Sequence, residues 1–358
     1  MWASYPNDYR AADVEPIVAA ARSGESAAVV GLSGAGKSNL MGFIANRIQV
    51  PPVSFVFIDC NRLAQANSGS LFALVQSVLH PKRPASAPSE GLSAVEHAIS
   101  TRLEQAPATI LCLLFDRFDS FAPQDHGATY ANLRALRDTF KYRLAYVFAT
   151  RHELPANNEL GELLHANTRW LGPLAVPDAR WTIQRYAARK GLAWGSEIED
   201  DLIALTRGYP SLLRAACEAR AAGDGANIGS SEALLARIME FWNDKPTTAE
   251  LQKSGLQGLP LLMAHAPAEA TPPATFDTNT LTGKEHALLK YFQANPNKVC
   301  EKDDIIRSVW SEDRAFVTGM RDDSVAQLVR RLREKIEQDP SNPKHIQTVP
   351  SRGYRFVP

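Results

Sequence analysis

The residues GLSGAGKS at 31–38 fit the pattern G-x-x-x-x-G-K-[ST] in full, and each fixed position has a chemical reason. Glycine has no Cβ, so a loop of Gly31, Ser33, Gly34, Ala35 and Gly36 can wrap closely and aim backbone N–H groups at phosphate oxygens. Lys37 supplies a cation for the β- and γ-phosphates, and the Ser38 hydroxyl is a ligand for Mg²⁺. A helix starting here adds its positive end to the same field, with Asn39 in its first turn. The chemistry implied is the binding of a nucleotide's phosphates with magnesium.

A magnesium site also needs a carboxylate. The apolar run ILCLLFD (110–116) ends in Asp116, placed as a magnesium-side strand places it. The next residue, where an acid is expected to activate water, is Arg117. A guanidinium does not give up its proton in a protein and so cannot be a general base. An acid returns at Asp119, which either turns toward the γ-phosphate or caps the segment that follows. Tight nucleotide binding with slow turnover is the expected consequence.

These residues need a scaffold. SAAVVGL (26–32), VSFVFIDC (53–60), ILCLLFD (110–116) and RLAYVFAT (143–150) are strand-length runs that are apolar on both faces. Such runs suit a parallel sheet covered by helices on each side, so the fold class expected is α/β, doubly wound. After about residue 175 the spacing turns helical, as in ARWTIQRYAARKG and SEALLARIMEFW. The expected division is an α/β core over 1–174, a helical lid over 175–262, a Pro/Ala-rich linker over 263–280 and a separate module over 281–358.

In that last module three helical patterns precede two short β runs around Ser351-Arg352-Gly353, which describes a winged helix. At 100° per residue, Val325, Leu328, Val329, Leu332 and Ile336 form one stripe of the third helix. Gln327 and Arg330 point the other way, and Arg331 and Arg333 flank the stripe. An arginine and glutamine front suits a helix lying in the major groove of double-stranded DNA. Charge agrees mildly: residues 283–358 hold 14 Lys+Arg against 11 Asp+Glu in a chain of zero formal net charge. The four cysteines have no paired spacing, and no apolar run reaches the length of a membrane span. Buried thiols in a cytoplasmic protein without a membrane partner are expected.

Taken together, GLSGAGKS, LLFDRFD and VFATR resemble the STAND and origin-recognition-like branch of AAA+ P-loop NTPases, over roughly residues 5–245. That resemblance implies that Tyr9 and Arg10 line a base pocket and that Arg151 senses the γ-phosphate beside Thr150. It also implies that Pro210 and Arg214, in TRGYPSLLRAA, reach the nucleotide from the lid, and that nucleotide sets an oligomeric state. The order LT-x-x-E, VW, RRLREK, TVPSRGYRF resembles the DNA-binding domain of OmpR/PhoB-type response regulators. It implies DNA contacts from Arg330, Arg331 and Arg333, and from a wing carrying Thr348 and Arg352. An ATP-binding transcriptional regulator is the leading expectation. Two readings stay open beside it: an active DNA-stimulated ATPase, and a scaffold whose winged helix binds protein.

Overall fold

The computed structural model describes residues 2–63, 65, 67–80, 91–120, 126–154, 159–266, 281–295, 299–309, 322–337, 339–340, 343, 345–349 and 353–356. Contacts divide the chain into two compact units, Met1–His265 and Ala266–Pro358. Most of the expected linker, residues 267–280, lies outside the described residues, as do Trp310 and Arg352.

The first unit is built on β1 (Ala27–Val30), β2 (Val53–Asp59), β3 (Ile110–Asp116), β4 (Leu144–Thr150) and β5 (Thr168–Trp170). All are parallel, in the spatial order β2-β3-β4-β1-β5. Side chains alternate across such a sheet. Thus Ala145, Val147 and Ala149 of β4 join one core, while Tyr146 and Phe148 join the other. The first face is covered by α1 (Ala11–Arg22) and α2 (Lys37–Arg47), through Val14, Ile17, Leu40 and Phe43. The second is covered by α3 (Ser68–Leu79), α4 (Leu92–Gln105) and α5 (His126–Phe140), where Phe115 stacks on Phe148 at 5.0 Å. A short α6 (Glu159–Leu164) precedes β5.

This strand order does the positioning. Parallel strands release their carboxyl ends along one edge of a sheet, which is where doubly wound folds bind ligands. Here Val30 is level with Thr150, Asp59 is level with Asp116, and the Gly31 N–H donates to the Thr150 carbonyl at 3.1 Å. Strand β4 therefore stands between the glycine loop and Asp116.

The lid consists of α7 (Val176–Lys190), α8 (Ser196–Thr206), α9 (Pro210–Ala222), α10 (Glu232–Asn243), α11 (Thr248–Lys253) and α12 (Pro260–Met263). Its apolar residues Ile183, Leu202, Leu212, Ile238 and Phe241 extend the same core that α1 and α2 line. Helix α9 begins at a proline, whose fixed φ and missing N–H suit a first helical position.

The second unit carries α13 (Gly283–Ala294), β6 (Val299–Glu301), α14 (Lys302–Val309), α15 (Asp322–Ile336), β7 (Ile346–Val349) and β8 (Gly353–Phe356). Strand β8 pairs antiparallel with both β6 and β7. This is a three-helix winged fold, with one strand more than the sequence pattern indicated. At Gly353 (φ +141°) a Cβ would sit 2.1 Å from the Cys300 carbonyl oxygen, so only glycine lets β8 close on β6. Val325, Leu328, Val329 and Leu332 are buried in its core, and Ile336 packs against it.

Candidate nucleotide site and DNA-facing helix

Gly34 and Gly36 take φ values of +83° and +90°, conformations that a side chain would strain. They turn the chain so that α2 starts at Lys37 with Gly36 as its cap. The first-turn amides of α2 have no partner inside the helix and face the loop. Lys37 is half-buried here; its Nζ donates to the carbonyls of Gly31 at 2.5 Å and Leu32 at 3.4 Å. Burial lowers its pKa to about 8, while the carboxylates of Asp119 and Asp116 pull it back up. The lysine is thus a desolvated cation beside two acids, a setting in which a phosphate is a strong partner.

Asp116 is 2% exposed, and burial pushes its carboxyl above the ordinary range. The Ser38 side chain, hydrogen-bonding to it, and the Arg117 guanidinium, 4.0 Å away, hold it down in part. Its Oδ1 is buried with no hydrogen-bond partner among the described residues, and so is the Thr150 Oγ1 on the neighbouring strand end. Buried oxygens are rarely left unsatisfied, so a hydroxyl and an orphaned carboxylate oxygen at one spot fit a divalent cation. Ser38 and Asp116 are the residues that would hold it.

Arg117 takes φ +54° and its side chain is mostly exposed, so nothing about its setting turns it into a base. Asp119 sits in the single turn Phe118–Ser120, and its Oδ1 accepts the Arg151 backbone N–H at 2.7 Å. One of its oxygens is therefore committed to holding the end of β4, although the group still acts electrostatically on Lys37. Asp59, level with Asp116 on β2, adds a third carboxylate that its strand-end position had not drawn attention to.

The Arg151 side chain is ion-paired with Asp244, immediately after α10. Arg214 is a different case. It is 73% exposed, bonded to Glu218 one turn on, and borders a cavity of about 420 Å³ beside the loop. Tyr9, Gly36, Asn39 and Pro210 border the same cavity, together with Tyr5, Trp181 and Arg185. Asn39 Oδ1 accepts from the Tyr5 hydroxyl at 2.9 Å, and Asn39 Nδ2 donates to the Tyr9 hydroxyl at 3.2 Å. Arg185 lies over the rings of Tyr5 and Trp181, at 4.6 and 5.0 Å. The lid also grips the loop from above: the Tyr209 hydroxyl donates to the Ser33 carbonyl at 2.7 Å and the Ser211 N–H to the Gly34 carbonyl at 3.1 Å. Ala35 is fully buried beneath the loop.

Arg10 requires a correction. It is 3% exposed, and its guanidinium bonds Asp13 and the carbonyls of Ala35 and Gly172, at 2.7, 3.2 and 2.8 Å. It does not border the cavity. It braces the underside of the glycine loop, because a buried fork of five donors finds its acceptors in backbone carbonyls.

In the second unit Gln327, Arg330 and Arg331 are exposed on α15, and Arg330 is bonded to Glu334 one turn on. Arg333 requires a second correction. It donates to the Ile346 carbonyl through Nε and a terminal nitrogen, at 3.0 and 2.6 Å, and to Thr348 Oγ1 at 2.9 Å. Its guanidinium also stands over the Tyr354 ring. Arg333 and Thr348 together tie the helix to the hairpin. Exposed Arg355 and half-buried Gln347, joined at 2.8 Å across the hairpin, are polar groups that the sequence reading did not single out.

Residues 277–356 match the family described as transcriptional regulatory protein, C terminal. The second unit is an OmpR/PhoB-type regulatory domain. It is 46% identical over 71 residues to transcriptional regulatory protein YvrH of Bacillus subtilis, covering 20% of this chain and 28% of that one. It is 42% identical over 80 residues to sensory transduction protein RegX3 of Mycobacterium tuberculosis, covering 22% and 34%. The chain thus spans about a third of the length of these curated relatives. Among solved structures, the Walker-type ATPase paby2304 of Pyrococcus abyssi is similar at 13% identity and a TM-score of 0.48, covering 99% of this chain and 97% of that one. Among the described residues, no helix is long and apolar enough to cross a membrane, and the four cysteines are buried and form no disulfide with one another.

Proposed function

We propose that the chain is an ATP-binding, nucleotide-switched DNA-binding regulator that works in the cytoplasm and hydrolyses ATP slowly. The single observation that carries this reading is the meeting of Lys37, Ser38 and Asp116 at the carboxyl ends of β1 and β3, with an unsatisfied Asp116 oxygen among them. Lys37 and the first-turn amides of α2 hold the phosphates, Ser38 and Asp116 hold Mg²⁺, and that ion neutralises phosphate charge. The ring-lined cavity beside Asn39 takes the base, which Trp181 and Arg185 orient by stacking. Exposed Gln327, Arg330 and Arg331 face the major groove. Oligomerisation on DNA under nucleotide control belongs to the same reading.

Mobility-shift titration of genomic fragments tests it, run with ADP, with a non-hydrolysable ATP analogue and with neither. The expected result is an affinity that differs about tenfold between the two nucleotide states. Equal affinity in all three conditions contradicts the switch. Turnover is tested separately. With Arg117 unable to act as base and Asp119 holding the Arg151 N–H, phosphate release in a single turnover is expected near ~10⁻³ s⁻¹, the range of unassisted switch GTPases. Release a thousandfold faster, abolished by Asp119→Ala, would instead favour a DNA-stimulated ATPase.

A further inference from the structure

Three consecutive residues leaving β4 each reach across to the lid. Arg151 pairs with Asp244, His152 Nδ1 lies 2.9 Å from Glu250 Oε1, and Lys253 Nζ lies 2.7 Å from Glu153 Oε1. Glu153 also accepts from Trp170 Nε1, over whose ring Lys253 sits at 5.4 Å. The lid partners span 244–253, the end of α10 and the whole of α11. We propose that this ladder is a clasp between the sensor end of β4 and the lid, and that a γ-phosphate in the loop opens it by drawing Arg151 away from Asp244. The proposal rests on the nucleotide reading above and deepens it into a route by which the third phosphate moves the lid.

The inner rung is where the control sits. Each outer rung has a cation about half exposed, His152 at 56% and Lys253 at 48%, and such pairs contribute little beyond setting register. The Arg151–Asp244 pair is more sheltered, with Asp244 only 13% exposed at its side chain. It is also incompletely satisfied: Arg151 Nε and Asp244 Oδ2 are both buried with no hydrogen-bond partner. Arg151 keeps its positive charge at any accessible pH, so it takes whichever anion satisfies its fork best. A terminal phosphate, with more charge and three oxygens, outbids a carboxylate that uses one.

Arg151 leaves a strand end that lies beside the glycine loop. The Thr150 carbonyl accepts the Gly31 N–H, and Arg151 is among the charges acting on Lys37. Asp119 pins the Arg151 backbone, so the side chain turns while the strand end stays fixed. Once Arg151 leaves, Asp244 is a sheltered charge without a partner, and the α10 end has to shift to hydrate it. ADP has no group in that place and leaves the rung closed.

Hydrogen exchange of the full-length protein over 244–253 tests this, with nucleotide affinities measured on the same samples. Wild type is expected to exchange about tenfold faster here with a non-hydrolysable ATP analogue than with ADP. Asp244→Asn should exchange fast in every state and gain about tenfold for the analogue relative to ADP. A second variant, Arg151→Asp with Asp244→Arg, restores a pair that no phosphate can take apart, and should stay protected with either nucleotide. Equal exchange of wild type in the two nucleotide states, or a nucleotide-dependent difference surviving in Asp244→Asn, overturns the clasp. If wild type binds neither nucleotide, the switch reading falls and the clasp with it; if it binds both with 244–253 unmoved, the clasp alone falls.

Discussion

Replacing Lys37 with alanine is expected to lower ATP affinity by 100-fold or more, about 3 kcal/mol, in calorimetry with magnesium present. Lys37 is a half-buried ammonium whose pKa has fallen to about 8, so it is still charged at pH 7 but poorly solvated. Its present partners are two neutral carbonyls of its own loop. A triphosphate replaces them with full negative charges in a sheltered site, where charge-assisted bonds are about twice as strong as neutral ones. Alanine removes that gain and leaves the glycine loop intact, since Gly34, Gly36 and the Arg10 brace beneath Ala35 do not depend on the ammonium. Folding should hold or improve slightly, because a desolvated charge is gone. Arginine at 37 should not rescue binding, since a planar fork cannot take the place of a compact ammonium under a tight loop. An affinity for ATP within threefold of wild type would refute the assignment of the loop.

The sheet and loop were legible because their signals are local. β3 is Ile110–Asp116, the run read from sequence, and β4 is Leu144–Thr150 against an expected 143–150. Strands apolar on both faces and a glycine loop before a helix have few other interpretations. β5 was not legible: Thr168–Trp170 is three residues long, half exposed and without alternation. Charged partners were harder still. Asp244 lies far along the chain from Arg151, and no periodicity links a strand end to the end of a lid helix. Arg10 was drawn to the base pocket by its neighbour Tyr9, yet adjacent residues point apart, and only Tyr9 borders the cavity. Trp181 and Arg185 lie in a stretch whose spacing says only that it is helical; their contacts with Tyr5 need the N-terminal segment packed against α7.

Arg330 and Arg331 should separate from Arg333 in the same way on DNA. Arg331 and Arg333, two residues apart, are turned by about 200° on the helix, so the run RRLR cannot all face one groove. Arg330 lies only about 60° round from Arg333, and it is the tie to the hairpin that sets Arg333 apart from it. Arg330 is 82% exposed at its side chain and paired with Glu334, an exposed pair that costs little to break. Arg331 is exposed beside it, whereas Arg333 is spent on the Ile346 carbonyl and Thr348 of the hairpin. Arg330→Ala is therefore expected to weaken binding to a specific site by roughly 1–3 kcal/mol, about 5- to 150-fold. Arg331→Ala, if its contact is to phosphate, should weaken all sequences alike and reduce the salt dependence of log K by about one unit. Arg333→Ala should act through the fold: the Ile346 carbonyl loses its donor and β7 its tie to α15, so the melting transition of this unit falls. Glutamine at 333 keeps a donor without the charge, and should restore part of the stability if hairpin attachment is the role. If Arg333→Ala leaves the melt untouched and lowers only DNA affinity, the guanidinium must leave the hairpin for the phosphates when DNA arrives.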